Sequence, residues 1–68
     1  MGRIDRVIKY FKASGKYAEP ELGKFRLLLS EEDNIITEIR QARAVQDHLK
    51  VNRLVKDLIA VQIQIPHP

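Results

Sequence analysis

The side chains able to do chemistry in this chain are few, and their spacing suits local structure better than catalysis. Ser14 and Ser30 are the only serines, and each falls where a helix is expected to end or begin, so capping accounts for both. Asp47 and His48 are adjacent; on a helix neighbouring side chains diverge by about 100°, which rules out an acid–histidine pair. His48 and His67 are far apart and have no obvious co-ligands. Glu31, Glu32 and Asp33 are contiguous, and contiguous helical positions do not converge on one metal ion. There is no cysteine, which removes disulfides, a thiolate nucleophile and thiolate metal sites together. Gly2, Gly15 and Gly23 are scattered and form no phosphate-cradling loop. The expectation is a protein that is not an enzyme, with no catalytic residue, metal or cofactor.

Binding chemistry is better represented. Residues 1–26 carry seven Lys/Arg against three Asp/Glu, whereas 27–45 carry Glu31, Glu32, Asp33 and Glu38 against Arg40 and Arg43. The simpler consequence is that a basic segment packs against an acidic one and is neutralised. The alternative is a nucleic-acid contact through Arg3, Arg6, Lys9, Lys12 and Lys16, with Tyr10 and Tyr17 among them. Three helices with a short middle one would resemble a helix-turn-helix layout, but the reading helix would then open on Glu31-Glu32-Asp33, which phosphates repel. Binding to random duplex is therefore expected to be no tighter than ~10 μM at physiological salt. A membrane-surface role for the amphipathic first helix is a weaker alternative.

The elements that would position these residues follow from periodicity. Ile4, Val7, Ile8 and Phe11 mark a helix over Arg3–Ser14, with Asp5 and Lys9 as an i, i+4 pair, Gly15 as its left-handed stop and Lys12 and Lys16 near its negative end. After a connection at 16–19, Pro20 opens a second, short helix over 20–29 with Leu22, Phe25, Leu28 and Leu29 on its apolar face; Gly23 inside it costs about 1 kcal/mol relative to Ala. Ser30 is expected to cap a third helix whose first turn holds the three carboxylates, with Asp33 at the capping-box position, so that Ser30→Ala would cost about 1 kcal/mol. No Gly or Pro occurs from Asn34 through Ile65, which predicts one long C-terminal helix. Its core face reads Ile35, Ile36, Ile39, Ala42, Val45 and Leu49, then shifts phase to Val51, Leu54, Val55, Leu58 and Val61. A kink or a change of packing partner is expected near His48–Asn52. Arg43 with Asp47 and Arg53 with Asp57 are i, i+4 pairs on its solvated side. Val61–Ile65 alternates as a strand would, leaving a short strand or a helix to Val61 with an extended tail; Pro66-His67-Pro68 should be loose.

The expected architecture is all-α: two short helices on one long C-terminal helix, as a three-helix bundle or open hairpin, in a single module over 1–65 with a loose tail at 66–68. No apolar run reaches the ~20 residues that span a bilayer. No secretory signal is visible, and Arg6 stands where a myristoylation motif needs Ser or Thr, so a cytoplasmic location is the expectation. Met1-Gly2 would also suit a fragment of a larger protein. A chain of 68 residues draws only about 3–5 kcal/mol from its core and usually needs a staple. With disulfides and thiolate metal sites excluded, a partner chain is the staple left. The first 29 residues offer eight large apolar side chains, enough to cover Ile35–Leu49 but not the positions beyond. Leu54, Val55, Leu58, Ile59, Val61, Ile63 and Ile65 are therefore expected to form an interface, in a two-fold homodimer or with another helical protein: an interaction or adaptor module. On that expectation Leu54→Asp or Leu58→Asp breaks the dimer, whereas Ile8→Asp unfolds the protomer.

Overall fold

The computed structural model describes residues 2–66. It contains α1 (Arg3–Ser14), α2 (Glu19–Ala44) and α3 (His48–Gln62), with no strand among the described residues. α1 has the expected bounds. Gly15 sits at φ 71° and donates its N–H to the Lys12 carbonyl at 3.3 Å, a conformation that a side chain makes costly. Ser14 ends the helix from the other side, its hydroxyl donating to the Phe11 carbonyl at 2.7 Å.

The long helix is the middle one, not the C-terminal one. α2 runs through Ser30, Glu31, Glu32 and Asp33 without interruption for 26 residues, about 39 Å. Its true start is Ala18–Glu21. Pro20 occupies the first turn, and Glu21 reaches back to accept the Ala18 N–H at 3.3 Å, the Glu half of a capping box. The Ser30 hydroxyl caps nothing because the N–H groups ahead of it already have partners one turn back. Apolar periodicity explains the continuity: Leu28, Leu29, Ile35, Ile36, Ile39 and Ala42 extend the stripe begun by Leu22 and Phe25, and a cap-like residue cannot end a helix whose buried face continues.

The real break comes later, between Ala44 and His48. Gln46 adopts φ 58°. Its N–H donates to the Arg43 carbonyl at 3.1 Å while the Asp47 N–H donates to the Ala42 carbonyl at 2.9 Å, the paired bonds of a Schellman stop with glutamine in the place glycine usually takes. Asp47 then starts α3 by accepting the Lys50 N–H at 3.2 Å. The phase shift near His48 thus marks a full reversal of direction, not a kink. Val45 and Leu49, expected in the core, flank the turn in solvent. Asp47 acts as a cap, and the expected Arg43–Asp47 pair does not form.

The predicted strand does not form either. α3 continues to Gln62, and the next turn is closed by Ile63, Gln64 and Ile65 N–H groups donating to Ile59, Val61 and Gln62 carbonyls. Val61 and Ile65 are also four apart, and both are buried, so the alternation resolves into one helical face. Pro66 is partly buried; His67 and Pro68 lie outside the described residues.

α1 and α3 both run antiparallel to α2, and each packs on it. Ile8 and Phe11 of α1 meet Leu22, Phe25, Leu28 and Leu29 of α2 and Val61 and Ile65 from the end of α3. All four aromatic rings of the chain gather here in edge-to-face contacts, with centroids 5.0 Å apart for Tyr17 and Phe25 and 5.6 Å for Phe11 and Phe25. Farther along, Ala42 and Leu54 are buried where α2 and α3 lie side by side.

Thermal melting of point variants tests these boundaries. Asp47→Ala should lose about 1 kcal/mol, whereas Ser30→Ala should lose nothing and gain up to about 0.5 kcal/mol from helix propensity. Gln46→Gly should gain about 1 kcal/mol by relieving the left-handed glutamine. Gly23→Ala should gain a similar amount, because a Cβ built there meets nothing within 4 Å.

Candidate functional site

Two surfaces stand out, beside an ion-paired seam that holds α1 against α2. Asp5 turns away from Lys9, its expected helical partner, and accepts from Arg26 Nη1 at 2.6 Å. Arg3 donates to Glu32 Oε1 at 3.1 Å and to Asp33. Lys12 approaches Glu19 at 3.8 Å. Only Arg3, through Glu32 and Asp33, joins the basic segment to the acidic one; the other two pairs lie within residues 1–26, so the expected neutralisation is limited to that one residue. These pairs are largely exposed and individually weak, so they align α1 more than they stabilise it. Arg26 beside Asp5 holds that carboxyl below the usual carboxylate range, and the two carboxylates raise the guanidinium pKa of Arg3.

The first surface lies on α3. Val51, Leu54, Leu58, Val61 and Ile65 follow a three-four spacing and turn toward α2; Leu54, Val61 and Ile65 are buried, and Leu58 is half-buried. Three of the seven expected interface residues thus belong to the protomer's own core. Val55, Ile59 and Ile63 form the next row, each four residues on from the last, and they are 38%, 54% and 78% exposed. This row has no cover among the described residues. The expected interface is divided by the pitch of the helix, which turns alternate apolar positions of one stretch to different sides.

The second surface is the outer side of α1. Because Ile8 and Phe11 face inward, Arg6, Lys9 and Lys12 project into solvent, and Lys16 follows in the adjoining loop. Of the five basic residues expected to act together, Arg3 is drawn into the seam and the other four remain on the surface. Tyr10 stays exposed beside them, while Tyr17 is partly buried in the aromatic cluster.

α1 and α3 do not pack directly along their lengths, which leaves a cleft of about 560 Å³ lined by Val7, Phe11, Leu29, Ile65 and Pro66, with Arg3 and Glu32 at its edge. Its charged groups already satisfy each other. Among the described residues no group of three His, Asp or Glu side chains is placed to hold a metal ion, and no helix is long and apolar enough to cross a membrane.

Comparison with family models, with curated proteins and with solved structures finds no match, so the surfaces themselves must carry the functional reading.

The seam has a pH signature. A depressed Asp5 pKa means its pairing supports α1 docking above the ordinary carboxylate range and is lost as pH falls through the lowered value. In an NMR titration the Asp5 midpoint should lie below about 3.9 and return toward it in Arg26→Gln. An unshifted wild-type midpoint would mean the pair does not persist in solution.

Proposed function

We propose that this chain is a homodimerisation module whose two copies meet along α3. The supporting observation is the uncovered row Val55, Ile59 and Ile63. Scattered exposed aliphatics such as Leu27 and Val45 are ordinary on a protein surface, but a continuous row along one helix is the usual sign of an interface.

The row is compatible with its own copy. With a two-fold axis at Ile59 and the helices antiparallel, Ile59 meets its counterpart and Val55 meets Ile63 of the second copy. Lys56 then lies opposite Gln62, so no like charges face each other; a parallel arrangement would set Lys56 against Lys56. Self-complementarity of this kind favours a copy of the chain over an unrelated helix.

Magnitudes set the strength. Six partly exposed aliphatic side chains at roughly 1–2 kcal/mol each recover about 6–12 kcal/mol. Lost rigid-body freedom costs about 4–15 kcal/mol. The dimer is therefore weak, with Kd micromolar or higher, and dissociates on dilution.

Light scattering after size exclusion, from ~10 μM to ~1 mM, should show mass rising from monomer toward dimer. Ile59→Glu should hold the mass at monomer without lowering helicity. Leu54→Asp should instead unfold the protomer, because Leu54 is 5% exposed and packed on α2. A monomeric mass throughout the series would rule out the homodimer.

A further inference from the structure

We propose that the outer face of α1 is a second, independent surface that binds the phosphate backbone of nucleic acid without reading sequence. The chain's positive charge is concentrated there. Residues 2–18 hold Arg3, Arg6, Lys9, Lys12 and Lys16 against Asp5 alone, a sum of +4; the whole chain carries +3, so everything after residue 18 sums to −1. The one acidic residue of this segment is occupied by Arg26. Among the described residues Arg6, Lys9 and Lys16 take part in no ion pair, and the Lys12–Glu19 contact is long and open to solvent at both ends.

The geometry suits a polyanion. Arg6, Lys9 and Lys12 extend about 9 Å along α1, with Lys16 just beyond the helix end. One strand of a duplex carries a phosphate about every 3.4 Å along the axis, so the helical cations span about three phosphates and Lys16 adds a fourth contact. Tyr10, 56% exposed, lies next to Arg6 around the helix, on the flank away from Lys12. The obstacle visible in the sequence is gone: Glu31, Glu32 and Asp33 do not open a DNA-facing helix but lie within α2, where Arg3 engages Glu32 and Asp33.

A membrane surface fits less well. Insertion requires aliphatic side chains directed outward, and Ile4, Val7, Ile8 and Phe11 are turned into the fold. The α3 row lies on a different helix, so the two surfaces are separable by mutation.

The test is fluorescence anisotropy with a labelled random-sequence 20-base-pair duplex, titrated from ~20 mM to ~150 mM monovalent salt. Binding should be clear at the low end and fall about tenfold for each doubling of salt, the dependence expected for about four neutralised phosphates. At physiological salt it should be no tighter than ~10 μM, because four contacts are few. The double variant Lys9→Glu, Lys12→Glu should weaken low-salt binding at least tenfold with its melting curve retained. Arg40→Glu, Arg43→Glu makes the same change in net charge on α2 and should alter binding less than threefold. Ile59→Glu should bind duplex like the wild type, which separates this surface from the dimer row. Absence of binding at low salt, equal loss in the two charge-reversal pairs, or tighter binding to vesicles of anionic phospholipid than to duplex would each overturn the proposal.

Discussion

The contact of Phe11 and Phe25 with Leu29, Val61 and Ile65 holds together three helices that otherwise meet only in pairs. α1 packs on one half of α2, and α3 returns along the other half to the same place. Without this junction α1 would be held by ion pairs largely open to water, whose individual worth is near zero to 1 kcal/mol. Burial of one large side chain contributes more than all of them. Removing an aromatic ring from such a site typically costs about 3–5 kcal/mol, comparable to the entire stability available to a core of this size. Phe11, Phe25 and Tyr17 are therefore concentrated where a single cluster can hold all three elements.

The length of α2 shapes everything outside that junction. The radius of gyration is 13.9 Å, against about 11 Å for a compact chain of this size, and the longest dimension is 43 Å. A 26-residue helix offers more apolar surface than a 12-residue and a 15-residue helix can cover completely. The surplus appears as half-buried Ile36 and Ile39 on α2. Among the described residues no polar or charged side chain is buried, so the interior is apolar throughout.

The charges follow the same division of labour. Arg3 and Asp5 lie on the flanks of α1 and reach partners on α2, Lys12 makes only a long, open contact with Glu19, and Arg6 and Lys9 lie opposite the buried stripe and reach only water. One short helix thus presents an apolar stripe to the core, paired charges at its borders and unpaired cations outside. Amphipathic periodicity combined with partial charge matching is enough to produce a docked helix that still carries a net positive face.

The all-α class, the bounds of α1 and its Gly15 stop were legible in the residues, because each rests on contacts within one or two turns. So were Leu22, Phe25, Leu28 and Leu29 as core positions, whereas Leu54, Val61 and Ile65, expected at an interface, are buried within the protomer. Which helix is long, and which apolar residues stay outside, was decided by tertiary structure. Ser30-Glu31-Glu32-Asp33 has the composition of a helix start, yet the continuing buried stripe on either side outweighs a cap worth about 1 kcal/mol. The real reversal at Val45–Asp47 carries no Gly or Pro. Gln46 accepts a left-handed conformation there because the return of α3 buries Leu54, Val61 and Ile65, a gain of several kcal/mol against a strain of about one. That return also separates Val55, Ile59 and Ile63 from their neighbours. The sequence marks all seven positions as apolar, but only the direction from which α2 approaches α3 determines which of them are covered.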